Sequence, residues 1–248
     1  MNLENARRLI SELPDNALVV DVGGGASPFP RADYVIDALP FSSRGEGSDQ
    51  NIHSLLSGPV RYCPETWIQL DLCRRDPWPV EDKRFDFAIC SHLLEDIRDP
   101  IWVCTELQRI AKAGYIEVPS RIVEQSKGIE SPRHAGYYHH RWLIESHGNQ
   151  LLFRHKAHLL HSINDAIVTS LWPSQQIHTD HSILVFRWQG SFEAIEVLEF
   201  NEGKVVEELC AVAAKGRKIT GLIAKRDMSF RKKVKRYWYY WRQLRGGQ

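Results

Sequence analysis

The first 120 residues alternate short apolar runs with longer polar or amphipathic stretches. Residues 17–20 form a continuous, valine-rich run, which is typical of a parallel strand covered on both faces of a sheet. Comparable runs follow at residues 34–36, 68–71, 85–90 and 115–118. Strands that alternate with helical stretches in this way predict a doubly wound, mostly parallel α/β sheet.

The pattern changes in the second half of the chain. Two further strands are predicted at residues 151–153 and 183–188, after which the sequence turns helical and finally basic. We therefore predict a sheet domain over residues 1–190 and a helical, basic extension over residues 191–248. An amphipathic helix over residues 1–14 is expected to cap the sheet. Asp99 and Pro100 are predicted to start a second helix over residues 101–112, where apolar residues recur at helical spacing.

Composition narrows the class of protein. The chain is 43% hydrophobic and 25% charged, which is ordinary for a globular domain. Its five cysteines include no C-x-x-C pair, so neither a disulfide framework nor a zinc site is predicted and a cytoplasmic location is expected. We find neither a signal-peptide core nor an apolar stretch long enough to span a membrane.

The glycine run after the first predicted strand is the most informative segment. Asp21 ends the strand, and Gly23, Gly24 and Gly25 allow the backbone to turn sharply and to approach a ligand closely. A dinucleotide fingerprint, G-x-G-x-x-G, would need a third glycine where Pro28 stands. The missing glycine weakens a pyrophosphate site, and Pro28 and Pro30 are predicted to shorten or delay the helix that follows. The loop therefore favours a nucleoside cofactor without phosphate.

The segments that follow carry a family resemblance. Asp37 ends the second predicted strand, where a carboxylate can accept hydrogen bonds from ribose hydroxyls. The segments IQLDLC, WPVEDKRFDFAICSHLLEDIRDP and GYIEVPS resemble, in order and spacing, the motifs of class I S-adenosylmethionine-dependent methyltransferases of the type 11-like kind. The resemblance covers residues 15–120. It implies S-adenosylmethionine as the cofactor and a seven-stranded Rossmann-like sheet with an antiparallel last strand.

The resemblance also assigns residues that bind the cofactor. It implies a D-x-G-x-G-x-G loop at Asp21, Gly23 and Gly25, with Ser27 in place of the last glycine. The remaining cofactor contacts that it implies are Gly24 in the same loop, Asp37 at the ribose, Asp71 and Leu72 at the adenine, and Ser91 beside the methionine part. The chain departs from the pattern by a polar insertion over residues 39–65 and by a short gap of fourteen residues from Gly23 to Asp37, against a usual span of about twenty.

Three histidines are candidate catalytic residues. His92 follows the fourth predicted strand, at the carboxyl edge where substrates lie in such sheets, where it would act as a general base or orient the acceptor; an ordinary pKa of about 6.5 suits a general base. A strand-end histidine bonded to the backbone is an equally good interpretation. His139 and His140, in GYYHHRW, belong to a loop expected to overhang an acceptor pocket, or to a loop docked on its own sheet by aromatic packing.

No metal site is predicted. His155, His158 and His161 are spaced by three, so on a helix they would spread around its axis, and no pair of carboxylates lies nearby. Glu95 and Asp96 are interpreted as a helix start or a solvated acid pair rather than as catalytic carboxylates.

The C-terminal tail concentrates positive charge. Residues 215–248 hold twelve Lys and Arg and one acid, whereas residues 1–214 hold twenty basic and thirty acidic residues. Apolar and aromatic side chains recur at helical spacing over residues 230–245, with most basic residues elsewhere around the helix. This pattern fits peripheral contact with an anionic membrane, or packing on the protein or on the second subunit of a homodimer. Nucleic acid is a less favoured partner.

The sequence therefore predicts a methyltransferase that acts on a hydroxyl of a sugar, a glycan or another small-molecule acceptor. CSHL stands where one class of amino-methylating enzymes carries D/N-P-P-Y/F, which argues against that type of base methylation. Two alternatives stay open: an RNA methyltransferase that grips phosphates with its basic tail, and a non-catalytic protein that keeps the fold as a binding scaffold.

Overall fold

The computed structural model describes residues 1–45, 60–170 and 177–221. The predicted helix of residues 230–245 lies outside them, as do the membrane and subunit contacts expected of it. The chain divides into two compact units: the first comprises Met1–Arg121, His139–Lys156 and Thr179–Leu198, and the second comprises the described parts of Ile122–Tyr138, Ala157–His178 and Glu199–Gln248. A domain boundary at residue 190 stays a prediction.

The elements in chain order are as follows. The strands are β1 (Val19–Val22), β2 (Tyr34–Asp37), β3 (Trp67–Gln69), β4 (Phe85–Ser91), β5 (Ala111–Pro119), β6 (Trp142–His147), β7 (Gln150–His155), β8 (Ile183–Gln189) and β9 (Glu193–Glu196). The α-helices are α1 (Leu3–Glu12), α2 (Pro100–Ile110), α3 (Arg121–Glu124), α4 (Thr179–Ser182) and α5 (Glu202–Thr220). Short 3₁₀ helices lie at Phe41–Ser43, Pro64–Thr66, His158–Ser162 and Asn164–Ala166.

The main sheet has the strand order β3-β2-β1-β4-β5-β8. Neighbouring strands from β3 to β5 are parallel, and β8 runs antiparallel to β5. The predicted parallel sheet and its antiparallel last strand are therefore confirmed. The described residues give this sheet six strands rather than seven, because the strand predicted at residues 151–153 pairs elsewhere: β7 joins β6 and β9 in a separate three-stranded sheet.

Helices cover both faces of the main sheet, as a doubly wound fold requires. Successive residues of β1 enter different hydrophobic clusters: Val19 lies in the cluster that contains Leu9 of α1, and Val20 lies in the cluster that contains Val103 and Leu107 of α2. Because both faces of the sheet are buried, side chains on both faces of a strand are apolar, and the strands therefore appear in the sequence as continuous apolar runs. The sequence pattern thus placed both helices within two residues of their observed ends.

Both helices begin where the sequence supplies a cap. The Asn2 side chain accepts hydrogen bonds from the backbone N–H groups of Glu4 and Asn5, at 3.0 and 3.2 Å. Asp99 accepts one from Trp102 N at 3.1 Å, and Pro100 occupies the first turn of α2, where its missing N–H is not needed. Both caps satisfy donors that a helix start leaves without a partner.

No helix connects β1 to β2, although these strands are parallel. Residues 23–33 form only turns and irregular backbone. Phe29 and Ala32 fill the sheet face in its place, with exposed fractions of 2% and 0%. Pro28 and Pro30 were predicted to shorten or delay a helix here; in the structure it is absent altogether, so the glycine loop has no helix N-terminus at which a phosphate would be stabilised.

The second unit is organised around α5. The Gln125 amide donates hydrogen bonds to the carbonyl oxygens of Ala166 and Leu209, both at 2.8 Å. Gly216 packs so closely on Val168 that a Cβ would lie 2.9 Å from its side chain, and α5 ends at Gly221 with a left-handed φ of 65°. Among the three described stretches, none of the helices combines the length and apolarity needed to span a bilayer.

Candidate functional site

The strand order places a crevice at the carboxyl edge of the main sheet. The chain passes from β1 outward to β2 and β3, then returns to the other side of β1 as β4. Ligands of open α/β sheets bind where the order reverses in this way. The glycine loop follows β1 at this point, and Ser91 and His92 end or follow β4, so the structure brings these two predicted segments to one edge.

The glycine loop is shaped by two positive φ angles. Gly23 has φ 74° and donates its N–H to Ile36 O at 2.9 Å, and an added Cβ would lie 2.6 Å from the Leu93 side chain. Gly25 has φ 56°, and an added Cβ there would meet no atom within 4 Å. Gly23 is therefore required by its neighbour, whereas Gly25 borders open space at the crevice.

Asp37 fastens the loop to the end of β2. Its Oδ2 accepts the N–H of Gly25 at 2.8 Å, and its Oδ1 accepts the N–H of Leu39 at 2.7 Å. The residue is 5% exposed. An ionised carboxylate has about four acceptor sites, so two bonds leave capacity for ribose hydroxyls. The predicted ribose ligand is thus also the group that positions the loop.

Asp21 lies beneath the loop. It is buried, and its Oδ2 accepts the N–H of Phe29 at 2.6 Å. Burial is the main cause that raises the pKa of Asp21 to about 7; the bond from Phe29 opposes it. A Cβ at Gly24 would lie 2.8 Å from the same oxygen. Asp21 and Gly24 therefore set the shape of the loop from inside.

Asp71 and Leu72 lie just beyond β3, at the same edge. Asp71 is exposed; its Oδ1 accepts the N–H of Cys73 at 2.9 Å and its Oδ2 accepts from Arg98 at 3.2 Å. Leu72 has its side chain in the hydrophobic core, 5% exposed. An adenine at this position would contact the Asp71 carboxylate and the backbone of Leu72. Both assignments stay predictions.

Ser91, the last residue of β4, carries a buried polar atom without a partner. Its Oγ makes no hydrogen bond to any described residue. Buried hydroxyl groups in native proteins are nearly always hydrogen-bonded, so this hydroxyl is available to a polar atom of a ligand at the sheet edge. This observation agrees with the predicted contact between Ser91 and the methionine part of the cofactor.

His92 adopts a left-handed backbone with φ 53°. That conformation costs a residue with a Cβ about 1–2 kcal/mol, so the surrounding structure must hold it in place. Its ring lies between two buried carboxylates: Nδ1 is 3.3 Å from Glu95 Oε1, and Nε2 is 3.2 Å from Glu117 Oε1. The ring therefore hydrogen-bonds Glu117 and lies within ion-pair distance of Glu95, and the catalytic role of His92 stays a prediction.

Glu117, on β5, is the centre of this arrangement, and the sequence analysis missed it. The residue has 0% exposure, and its carboxylate accepts from the backbone of Asn2 at 2.5 Å, the Asn5 amide at 3.0 Å and the Tyr115 hydroxyl at 2.5 Å. Burial opposes ionisation, but the bonds from His92, Tyr115 and Asn5 outweigh it and lower the pKa of Glu117 to about 2. An acid inside the apolar segment GYIEVP was the signal that could have revealed it.

Glu95 is also buried, contrary to its interpretation as part of a solvated pair. It has 2% exposure, and neither of its carboxylate oxygens has a hydrogen-bond partner among the described residues. Asp96, by contrast, has a side chain that is 47% exposed. The turn after β4 therefore presents one buried and one exposed carboxylate.

The charge on His92 is expected to make the stability of the protein depend on pH. Burial opposes its charge, but contacts with Glu117 and Glu95 outweigh burial and raise the pKa of His92 from 6.5 to about 9. A raised pKa contributes stability that is complete below pH 6.5 and lost as pH rises through 9. Denaturant unfolding should thus show stability falling between these values, and His92→Gln should flatten that slope. An unchanged slope in the variant would assign the effect to another group.

His139 and His140 precede β6 and lie beside the turn after β4. The His139 and His140 rings have centroids 4.6 Å apart, and His139 Nε2 is 3.9 Å from Asp96 Oδ2. The backbone N–H groups of Arg141 and Trp142 donate to Glu95 O at 2.7 and 3.1 Å. The structure therefore brings the predicted acceptor loop to the same edge as His92.

The three histidines considered as metal ligands lie in two elements, strand β7 and the 3₁₀ helix His158–Ser162. His155 ends β7, with its ring centroid 6.2 Å from that of Trp142. His158 and His161 belong to the second unit, where His161 Nδ1 accepts the N–H of Ala135 at 3.0 Å.

Comparisons with known proteins find distant similarities. The sequence matches no family model and no curated protein. A similar solved structure is an S-adenosylmethionine dependent methyltransferase from Mesorhizobium loti, at 19% identity and TM-score 0.34, with 50% of this chain and 59% of that chain covered. Another is a putative methyltransferase from an antibiotic biosynthesis pathway of Anabaena variabilis, at 12% identity and TM-score 0.37, with 52% and 51% covered.

A third similar structure is Haemonchus contortus phosphoethanolamine N-methyltransferase 2 in complex with S-adenosyl-L-methionine, at 14% identity and TM-score 0.35, with 48% of this chain and 28% of that chain covered. In all three cases the chain spans less than two thirds of the length of the protein that it resembles. Similarity at this distance concerns the fold and leaves the activity to be argued from the site.

Proposed function

We propose that this chain binds S-adenosylmethionine at the carboxyl edge of its main sheet and transfers the methyl group to a hydroxyl of a sugar, a glycan or another small acceptor. The observation that carries the proposal is the pairing of two segments at the point where the strand order reverses. The loop at Gly23–Gly25, fastened by Asp37, lies on one side, and Ser91 and His92 lie on the other.

The residues present fit a nucleoside without phosphate. Gly25 borders open space, the Ser91 hydroxyl has no hydrogen-bond partner among the described residues, and Asp37 keeps acceptor capacity for a ribose. The connection from β1 to β2 contains no helix whose N-terminus would stabilise a diphosphate. These features favour S-adenosylmethionine over a dinucleotide.

When bound, S-adenosylmethionine supplies a methyl group on a sulfonium: an acceptor oxygen forms the new C–O bond, the C–S bond breaks with its electron pair left on sulfur, and the hydroxyl proton is released. The protein has to align acceptor and methyl and to accept that proton. With its pKa raised to about 9, His92 is protonated at neutral pH, and its two ring N–H groups face Glu95 and Glu117, so we assign it to positioning the turn after β4 rather than to contact with the acceptor. His139 or His140 is then the proposed proton acceptor.

Gly25→Ala tests the placement of the cofactor. Because a Cβ at residue 25 meets no protein atom within 4 Å, its main effect should fall on a ligand in the loop. We expect S-adenosylmethionine to bind at least about tenfold more weakly in calorimetry, a change of about 1.4 kcal/mol. The unfolding free energy should fall by only about 1 kcal/mol, the cost of a Cβ in a left-handed conformation.

Gly148→Ala is the matched control for this variant. Gly148 lies in the turn between β6 and β7 with φ 58°, and an added Cβ would also meet nothing within 4 Å. It should lose the same stability and keep the affinity for S-adenosylmethionine. Equal affinities in the two variants would remove the cofactor from this loop.

The choice of a hydroxyl acceptor is supported by the histidines on the loop before β6, since oxygen methylation requires removal of a proton. A transfer assay with labelled S-adenosylmethionine across sugar, glycan, lipid and RNA acceptors tests it. Label on a hydroxylated small molecule is the expected result. Label on RNA alone would replace the acceptor, and cofactor binding with no transfer to any class would favour a scaffold.

A further inference from the structure

A cluster of ligating side chains lies on the acceptor side of the proposed site and includes both of its proposed proton acceptors. Asp96, His139 and His140 each offer one ligand atom, and these atoms all lie within 4.8 Å of one another. The side chains of Asp96 and His139 are about half exposed, at 47% and 46%. Rotation of exposed side chains can therefore bring the three atoms to the spacing of ligands around one ion.

The backbone around this cluster is already held together. Glu95 O, one residue before Asp96, accepts the N–H groups of Arg141 and Trp142 at 2.7 and 3.1 Å. The Trp142 indole donates to Ile97 O, one residue after Asp96, at 2.9 Å. The fold has thus brought the two ligand-bearing segments together, and an ion would have to order only the side chains.

We propose that Asp96, His139 and His140 bind a divalent transition-metal ion, with Zn²⁺ or Co²⁺ as the best fit. Two imidazole nitrogens and one carboxylate oxygen suit these ions, whereas Mg²⁺ and Ca²⁺ prefer oxygen ligands alone. Three protein ligands leave at least one coordination position for an oxygen from solvent or from an acceptor. Metal binding at this cluster stands independently of the proposed methyl transfer.

The metal site and the proposed methyl transfer share the imidazoles of His139 and His140, and this link rests on the proposed function. An imidazole that binds a metal ion can no longer accept a proton from the acceptor. In the metal-bound protein the ion would instead stabilise, as a Lewis acid, the negative charge of an acceptor oxygen whose proton has passed to solvent.

The experiment is calorimetric titration of the chelator-stripped full chain with Zn²⁺, repeated with Co²⁺ while its visible absorption is recorded. We expect Asp96→Asn, His139→Gln and His140→Gln each to weaken binding at least about tenfold, since even outer-sphere substitutions typically cost 10–100-fold in affinity. His147→Gln is the matched control, because His147 is exposed at the end of β6 and outside the cluster. It should leave the affinity unchanged.

Wild-type affinity in the three cluster variants would overturn the proposal, as would a loss confined to His147→Gln. Titration with S-adenosylmethionine in the same variants separates the two proposals. Failure of cofactor binding in the wild type would contradict the proposed function and leave the Zn²⁺ result intact, and failure of Zn²⁺ binding would leave the cofactor result intact.

Discussion

Asp37→Ala is expected to reduce the affinity for S-adenosylmethionine at least about a hundredfold, or about 2.7 kcal/mol. Two effects combine. The ribose loses acceptors whose charge-assisted hydrogen bonds are worth about 1.5–3 kcal/mol each. The N–H groups of Gly25 and Leu39 also lose the carboxylate that positions them, so the loop no longer holds the shape that a ligand requires. Calorimetry with S-adenosylmethionine is the measurement.

Asp33→Ala is the control for that variant. Asp33 precedes β2 at the opposite edge of the sheet, where its carboxylate accepts the N–H of Val19 at 2.8 Å and pairs with Arg31 at 3.0 Å. It should lose stability through these contacts and bind the cofactor normally. If Asp37→Ala binds as the wild type does, or if both variants lose affinity equally, the ribose does not lie at Asp37.

Glu117→Gln is expected to lower the free energy of unfolding by about 3 kcal/mol at pH 7. The substitution keeps the shape of the side chain but removes the charge that His92, Tyr115 and Asn5 stabilise. The pKa of Glu117 is lowered from 4.5 to about 2, so its contribution is complete above pH 4.5 and lost as pH falls through 2. The difference between wild type and variant should therefore shrink over that interval.

Urea unfolding at several pH values measures this effect, and Glu145→Gln is its control. Glu145, on β6, pairs with Arg121 at 3.1 Å and keeps 24% exposure, so its loss should cost no more than about 1 kcal/mol. The pKa of His92, followed by NMR, should fall in Glu117→Gln because one of its two acid neighbours is neutral. Equal stabilities of the two variants at pH 7 would mean that Glu117 has no special part in the site.

The sequence pattern correctly predicted the elements that a single short segment encodes. Continuous valine-rich runs predicted β1 and β2, because both faces of a parallel strand are buried. Spacing and a proline start predicted α2. The antiparallel β8 was expected from the family resemblance, and the order of the main sheet agrees with it.

The sequence pattern failed to predict strand pairing and side-chain burial where segments distant along the chain come into contact. The strand predicted at residues 151–153 was placed in the main sheet, but β7 joins β6 and β9 instead, because strand pairing depends on partners far along the chain. Glu95 looked like a solvated acid beside Asp96, yet it is buried against His92. The exposure of a side chain is decided by what folds over it.

The sequence by itself determined the glycine turn, the acids at the ends of β1 and β2 and the class of sheet, since backbone freedom and apolar periodicity are properties of neighbouring residues. Only the tertiary structure decided the charge of His92, because Glu117 lies 25 residues away and reaches it across two paired strands. The same is true of the cluster at Asp96, His139 and His140. A pKa and a coordination geometry depend on distances between atoms, and folding alone sets those distances.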